Sequence, residues 1–196
     1  QELDKTEVTR NILQTSELTD TITKIKVKLM QVKDIRGTAN RVTESQVLDD
    51  IELFELKAFS LLVVEMRELL LSANITVVTL PDLEPVVNIL DPEKMRIPHF
   101  YVYDAYSPEL AALRTKMKTL KMDEKTEERV LDQLQFEHTE LEDRIREKLS
   151  EQIHPYKKEI NEALVNTATL DILLAKAQQT IDMQLCKPEI STSTTR

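Results

Sequence analysis

The sequence predicts an all-α protein: a helical bundle core with one antiparallel helical hairpin protruding from it. Three observations predict this. Gly37 is the only glycine in 196 residues, whereas tight β-turns consume glycine because they need positive φ. Apolar residues recur at steps of three and four over most of the chain, the spacing of amphipathic helices. Five of the seven prolines (Pro81, Pro85, Pro92, Pro98 and Pro108) gather between residues 74 and 108. The segments on either side are therefore free to form long helices. An apolar content of 41% suffices for a core and argues against global disorder.

Residues 3–14 carry a first short helical pattern. A second helix is predicted from about Leu18 to Val42, through Ile22, Ile25, Leu29, Val32 and Ile35. Gly37 interrupts its far end, as a helix end or a close contact with a neighbour. Thr43-Glu44-Ser45-Gln46 has capping-box form, and so predicts the start of a third helix running to about Ser72. That helix has two apolar stripes. One is Val47, Ile51, Phe54, Ala58, Leu61, Leu62, Met66 and Leu69; the other is Leu53, Leu56, Phe59, Val63 and Leu70. Two stripes imply contact on two sides, as for a helix deep in a bundle.

The prolines forbid a long helix across 74–108. A short one at about 82–90 is allowed, with Pro85 in its first turn. Four of the eight aromatic residues (Phe100, Tyr101, Tyr103 and Tyr106) follow within seven positions. The alternation there predicts a short extended segment near 99–104. The rings pin an irregular crossover against the core. Ser107-Pro108-Glu109 then starts a new helix: Ser107 caps, Pro108 suits the first position, and Glu109 favours the positive end of the dipole. A coiled-coil seam follows through Leu110, Leu113, Met117 and Leu120. After Met122–Lys125 it resumes through Leu131, Leu134, His138, Leu141, Ile145 and Leu149. Pro155 must kink the helix at about His154, and the seam continues from Tyr156 to Ile181. The tail ISTSTTR has no periodicity.

Charge supports the hairpin. Residues 114–121 hold Arg114, Lys116, Lys118 and Lys121 without an acid, and residues 122–151 hold eleven acids against five bases, a net of −6. A reversal at 122–125 would lay the basic arm beside Glu127, Glu128, Asp132 and Glu137. The basic run has two readings, a paired or solvated face and a contact to nucleic-acid phosphates. The chain's net charge of −9 favours the first.

No catalytic, cofactor-binding or metal-binding constellation stands out. His99, His138 and His154 are scattered, and Glu151-Gln152-Ile153-His154 is a single ExxH where helical di-iron sites need two. Cys186 has no evident activating partner. A lone cysteine fits a reducing compartment. No apolar run approaches the roughly 20 residues that span a bilayer. A cytoplasmic protein without membrane contact is expected.

Tyr103–Arg114 (YDAYSPELAALR) resembles a segment of the MutS mismatch-repair family, particularly its recombination-suppressing branch, in which an Asp-x-x-Ser-Pro-Glu-Leu-like motif opens a lever helix. LEDRIREKLSEQI resembles the descending lever helix. ATLDILLAKAQQT, followed by Pro188, is similar to the stretch that closes the family's core; DIRGTANRV and IELFELKAF are similar to core segments. The likeness covers most of residues 18–190. It implies a helical core at 1–106, lever helices at 107–185 that return into the core, and a linker or disordered tail at 186–196. It further implies that the helices couple a C-terminal ATPase, which uses ATP and Mg, to engagement of DNA by the parent protein. Ser107, Pro108 and Glu109 would form the lever base, and Arg114, Lys116, Lys118 and Lys121 are candidates for DNA contact. Two features depart from the family. Only about four residues stand where a β-rich clamp is inserted, and there is no GxxxxGK[ST] P-loop. Together with a first residue that is not Met, these fit a fragment of a longer protein, without catalysis of its own. The alternative is a stand-alone helical interaction protein whose hairpin zips onto a partner; self-association is left open.

Overall fold

The computed structural model describes residues 2–121 and 128–187. Among them are eight α-helices, three short 3-10 turns and no strand. The helices are α1 (Glu2–Gln14), α2 (Thr19–Leu29), α3 (Arg36–Thr43), α4 (Asp50–Ser72), α5 (Glu84–Leu90), α6 (Pro108–Lys121), α7 (Glu128–Ile153) and α8 (Lys157–Asp182). The all-α class and the bundle are as the sequence predicts. The reversal expected at 122–125, Glu127 and the tail from Pro188 onward lie outside the described residues.

The expected second helix is two helices, and Gly37 is not where they part. The backbone leaves α2 at Met30 and re-enters a helix at Arg36. Asp34 starts α3: its carboxylate accepts from the backbone N–H of Arg36 at 3.1 Å and from the Arg36 Nε–H at 2.9 Å. Gly37 follows, inside the first turn of α3, and a Cβ built on it would meet nothing within 4 Å. It makes no close contact, and it lies at the start of a helix rather than at the end of one.

The capping box also lies six residues later than expected. The Asp49 carboxylate accepts from the Glu52 N–H at 2.8 Å, and the Glu52 carboxylate accepts from the Asp49 N–H at 2.9 Å. Thr43–Gln46 instead closes α3. Ser45 takes a φ of 57°, its N–H donates to the Val42 carbonyl at 3.2 Å, and the Gln46 N–H donates to the Arg41 carbonyl at 2.9 Å. That is a Schellman ending, usually built on glycine. The same ending closes α4 with Asn74 at φ 52° and α8 with Gln184 at φ 53°. A glycine-poor chain thus ends its helices on residues that tolerate the left-handed region less well.

The core is contiguous and centres on α4. Its second stripe is wholly buried, with Leu53, Leu56 and Val63 sealed from solvent. The first stripe is divided: Leu61 and Met66 are buried, whereas Val47 lies before the helix and Ile51 in its first turn, both exposed. Burial of each large side chain contributes roughly 1.5–3 kcal/mol. α5 lays Val86, Val87 and Leu90 into this core, with Pro85 in its first turn as expected. Residues 99–103 are neither helix nor strand, and Asp104–Tyr106 form a 3-10 turn.

α6 packs chiefly on α7 and on the 3-10 turn before it, whereas α8 packs on α1, α2, α3 and α4. The α6–α7 pair is antiparallel: Glu109 and Leu113 share a cleft with Leu141 and Arg144, whereas Lys118 and Lys121 share one with Gln135 and His138. That register sets Met117 beside Leu134; both are buried yet lie outside the main core. The outer half of the hairpin is therefore a separate two-helix seam projecting from the bundle.

Candidate functional site at the hairpin base

Three sets of polar contacts fix the hairpin to the body. The first starts at the predicted helix cap. Ser107 Oγ accepts from the Leu110 N–H at 3.3 Å, and the Ser107 N–H donates to the Asp104 carbonyl at 3.2 Å. Pro108 is the first residue of α6, and Glu109 stands exposed in its first turn. Arg114, two turns along, pairs with Asp104 below it and with Glu142 of α7 at 2.7 Å. Its Nε–H also donates to His138 Nε2 at 3.0 Å. Burial disfavours the guanidinium charge, but Asp104 and then Glu142 outweigh that and hold it more firmly protonated than usual. Glu142 also meets Arg146 at 3.4 Å, and Arg146 grips Asp50, at the start of α4, through two bonds of 2.7 and 3.1 Å. Two-pronged Arg–carboxylate contacts carry orientation as well as energy. Charge contacts thus run unbroken from the crossover through α6 and α7 to α4.

The second set is buried. Lys57 of α4 has no exposure, and its Nζ donates to Asp91 at 3.0 Å, to the His99 carbonyl at 2.9 Å and to Tyr103 Oη at 3.0 Å. The Tyr103 hydroxyl donates to the same carbonyl at 2.9 Å. Asp91 also accepts from the Arg96 N–H at 2.7 Å. Burial pushes the Asp91 carboxyl up, but the Arg96 N–H and the Lys57 ammonium outweigh it, and the pKa falls below its ordinary value. Tyr106 donates to the Ile89 carbonyl at 3.0 Å, and burial pushes its phenol up. The aromatic strip is therefore more than apolar ballast: the Tyr103 hydroxyl and one buried lysine bind the crossover to α4, and the Tyr106 hydroxyl binds it to α5. Sequence reading missed Lys57. Its signal is that it is the one basic residue within 53–66, a stretch in which most side chains are apolar.

The third set lies at the Pro155 kink. α7 ends at Ile153, His154–Tyr156 is a 3-10 turn, and α8 begins at Lys157, as the proline requires. His154 Nδ1 lies 2.8 Å from the Val42 carbonyl and the Ser45 hydroxyl 3.0 Å from the ring. Ser150 Oγ accepts from the Leu48 N–H at 2.9 Å, and the Asn161 amide donates to Thr43 Oγ1 at 3.0 Å. The kink is clasped to the loop between α3 and α4.

The candidate DNA contacts separate. Arg114 is held inside the hairpin. Lys116, Lys118 and Lys121 are exposed and form no ion pair with a described residue. Among the described residues the cross-hairpin ion pairing expected from opposite charges is therefore confined to Arg114 and Glu142; Lys118 and Lys121 border a cleft with Gln135 and His138 of α7 without meeting an acid there. Among the described residues no group of three or more His, Cys, Asp or Glu could hold a metal ion, and Cys186 is an exposed free thiol. No described helix is long and apolar enough to cross a membrane. Comparison with protein-family models finds no match, and comparison with curated proteins finds no significant relative.

Proposed function

We propose that this chain is the core-and-lever module of a MutS-like DNA-repair or recombination protein, mechanically coupling a C-terminal ATPase to engagement of DNA. One observation carries the reading: a projecting antiparallel hairpin is rooted in the body at both of its ends, where charge and hydrogen-bond contacts add to the apolar packing of Leu110, Ile145, Leu149 and Ile153 in the core. Such a rod can move as a unit about its root, with the crossover and the Pro155 kink as the compliant points. Reactions would be performed elsewhere in the parent, which would supply the ATP and Mg sites.

The test uses the chain with its native downstream continuation. That continuation should encode a P-loop. Spin labels at Lys118 in the hairpin and Ile51 in the core should then report a distance that changes when ATP is added. A continuation without a P-loop, or a distance indifferent to nucleotide, overturns the reading. It would leave the stand-alone interaction protein, which Phe136, 63% exposed on the outer hairpin, favours.

A further inference from the structure

α8 has two apolar faces, and only one is used. Its inner face buries Ile160, Ala163, Thr167, Leu170, Leu174 and Ala177. On the outer face Val165, Ala168, Ile172 and Ala175 follow one another in steps of three, four and three, and all four are exposed. Val165 is 64% and Ile172 51% accessible. These steps are the heptad of a coiled coil, with β-branched residues at one position and alanine at the other. The four span residues 165–175, about 15 Å along the helix at 1.5 Å per residue. A solvated helix face has no need of this pattern. The outer face of α7 shows the contrast, with Glu140, Asp143, Glu147 and Glu151 at similar spacing.

We propose that two copies of this chain associate through this outer face of α8, antiparallel, about a two-fold axis near residue 170. The face is complementary to itself in that orientation. Val165 meets the partner's Ala175 and Ala168 meets the partner's Ile172, so a large side chain faces a small one in every layer. Beside the seam Glu162 lies near the partner's Lys176, which in the single chain pairs with Glu2 at the surface and would exchange that exposed pair for this one, twice by symmetry. Asp171 approaches its own copy near the axis; Lys33, which lines the same cleft and forms no ion pair with a described residue, offsets that repulsion. The cleft, about 650 Å³ and walled by Leu29 and Val32, continues the apolar surface beside Val165. A parallel pairing would set Val165 on Val165 and Ala168 on Ala168, crowding some layers and emptying others. The inference is independent of the lever reading.

Sedimentation of the 196-residue chain over about 1 to 500 µM tests it. A monomer–dimer equilibrium is expected, and Ile172→Glu or Val165→Glu should each weaken it by about tenfold or more, since each buries carboxylates in the seam. Both side chains are exposed in the monomer, so circular dichroism melts at concentrations where the chain is monomeric should not move; should one variant unfold, the other carries the measurement. Orientation is read in a Cys186→Ser background. A mixture of Val165→Cys and Ala175→Cys chains should cross-link on mild oxidation, and Val165→Cys alone should not. A monomer at every concentration, a dimer unaffected by both charged variants, or self-cross-linking of Val165→Cys overturns the proposal.

Discussion

Lys57 and Asp91 are the residues whose loss the fold would feel most. Both are sealed from water, and each leaves the other uncompensated when removed. Breaking such a pair from one side costs about 3–5 kcal/mol, so Asp91→Asn should lower the urea midpoint sharply at neutral pH. The acid limb follows from the sign of the Asp91 shift. Its folded pKa lies below the unfolded value. The stabilisation is therefore complete above the ordinary carboxylate range near pH 3.9 and is lost as pH falls through the lowered folded value. Asp91→Asn should flatten that limb; an unchanged acid profile would show that the pair does not carry it. Backbone strain gives predictions of the opposite sign. Gln184→Gly relieves a left-handed residue and should stabilise by about 1 kcal/mol. Gly37→Ala, in open space within a helix, should add about 0.5–1 kcal/mol. Thermal melts check both.

Among elements, the hairpin was the most legible in the sequence and the α2–α3 break the least. The seam from Leu110 to Leu149 announces two helices because apolar spacing reports which side of a helix is covered. Spacing says little about where a helix stops. Ile22, Ile25, Leu29, Val32 and Ile35 read as one helix because their spacing marks neither the turn at Met30 that ends α2 nor the Asp34 carboxylate on the Arg36 N–H at the start of α3. For the same reason Thr43–Gln46 matched a capping box while ending a helix: composition there suits both, and the left-handed Ser45 decides. Lys57 stands out as a lone base in an apolar stretch, but its role was illegible because its partners come from residues 91, 99 and 103. The hairpin's own energetics should be divided. Leu134→Ala removes a contact outside the main core, so hydrogen exchange should speed up along 113–121 while the global melt moves little. If the melt falls with it, the hairpin is part of the cooperative core. At the root, an Asp50→Ala and Arg146→Ala double-mutant cycle should give a coupling of about 1 kcal/mol, within the usual range for a partly buried pair; additivity would mean the two-pronged contact carries no orientation.

For the molecule as a whole, the distribution of charge decides how DNA could be met. A net charge of −9 repels a polyanion over most of the surface, and within α6 the one arginine is consumed by Asp104 and Glu142. Lys116, Lys118 and Lys121 are the cations left exposed on that arm, toward the end of the hairpin farthest from the core. In the proposed parent, a DNA duplex brought up by other domains would find these three exposed lysines along the rod, where a small rotation at the root gives the largest displacement. Each phosphate neutralised on B-DNA adds about 0.9 to the slope of log affinity against log salt. Replacing the three lysines with alanine in the full-length protein should therefore lower that slope by up to about 3, leaving the melt of the module unchanged because none of the three is buried. A slope that does not change would assign the lysines to solvation alone, and the rod would then act on DNA only through other domains.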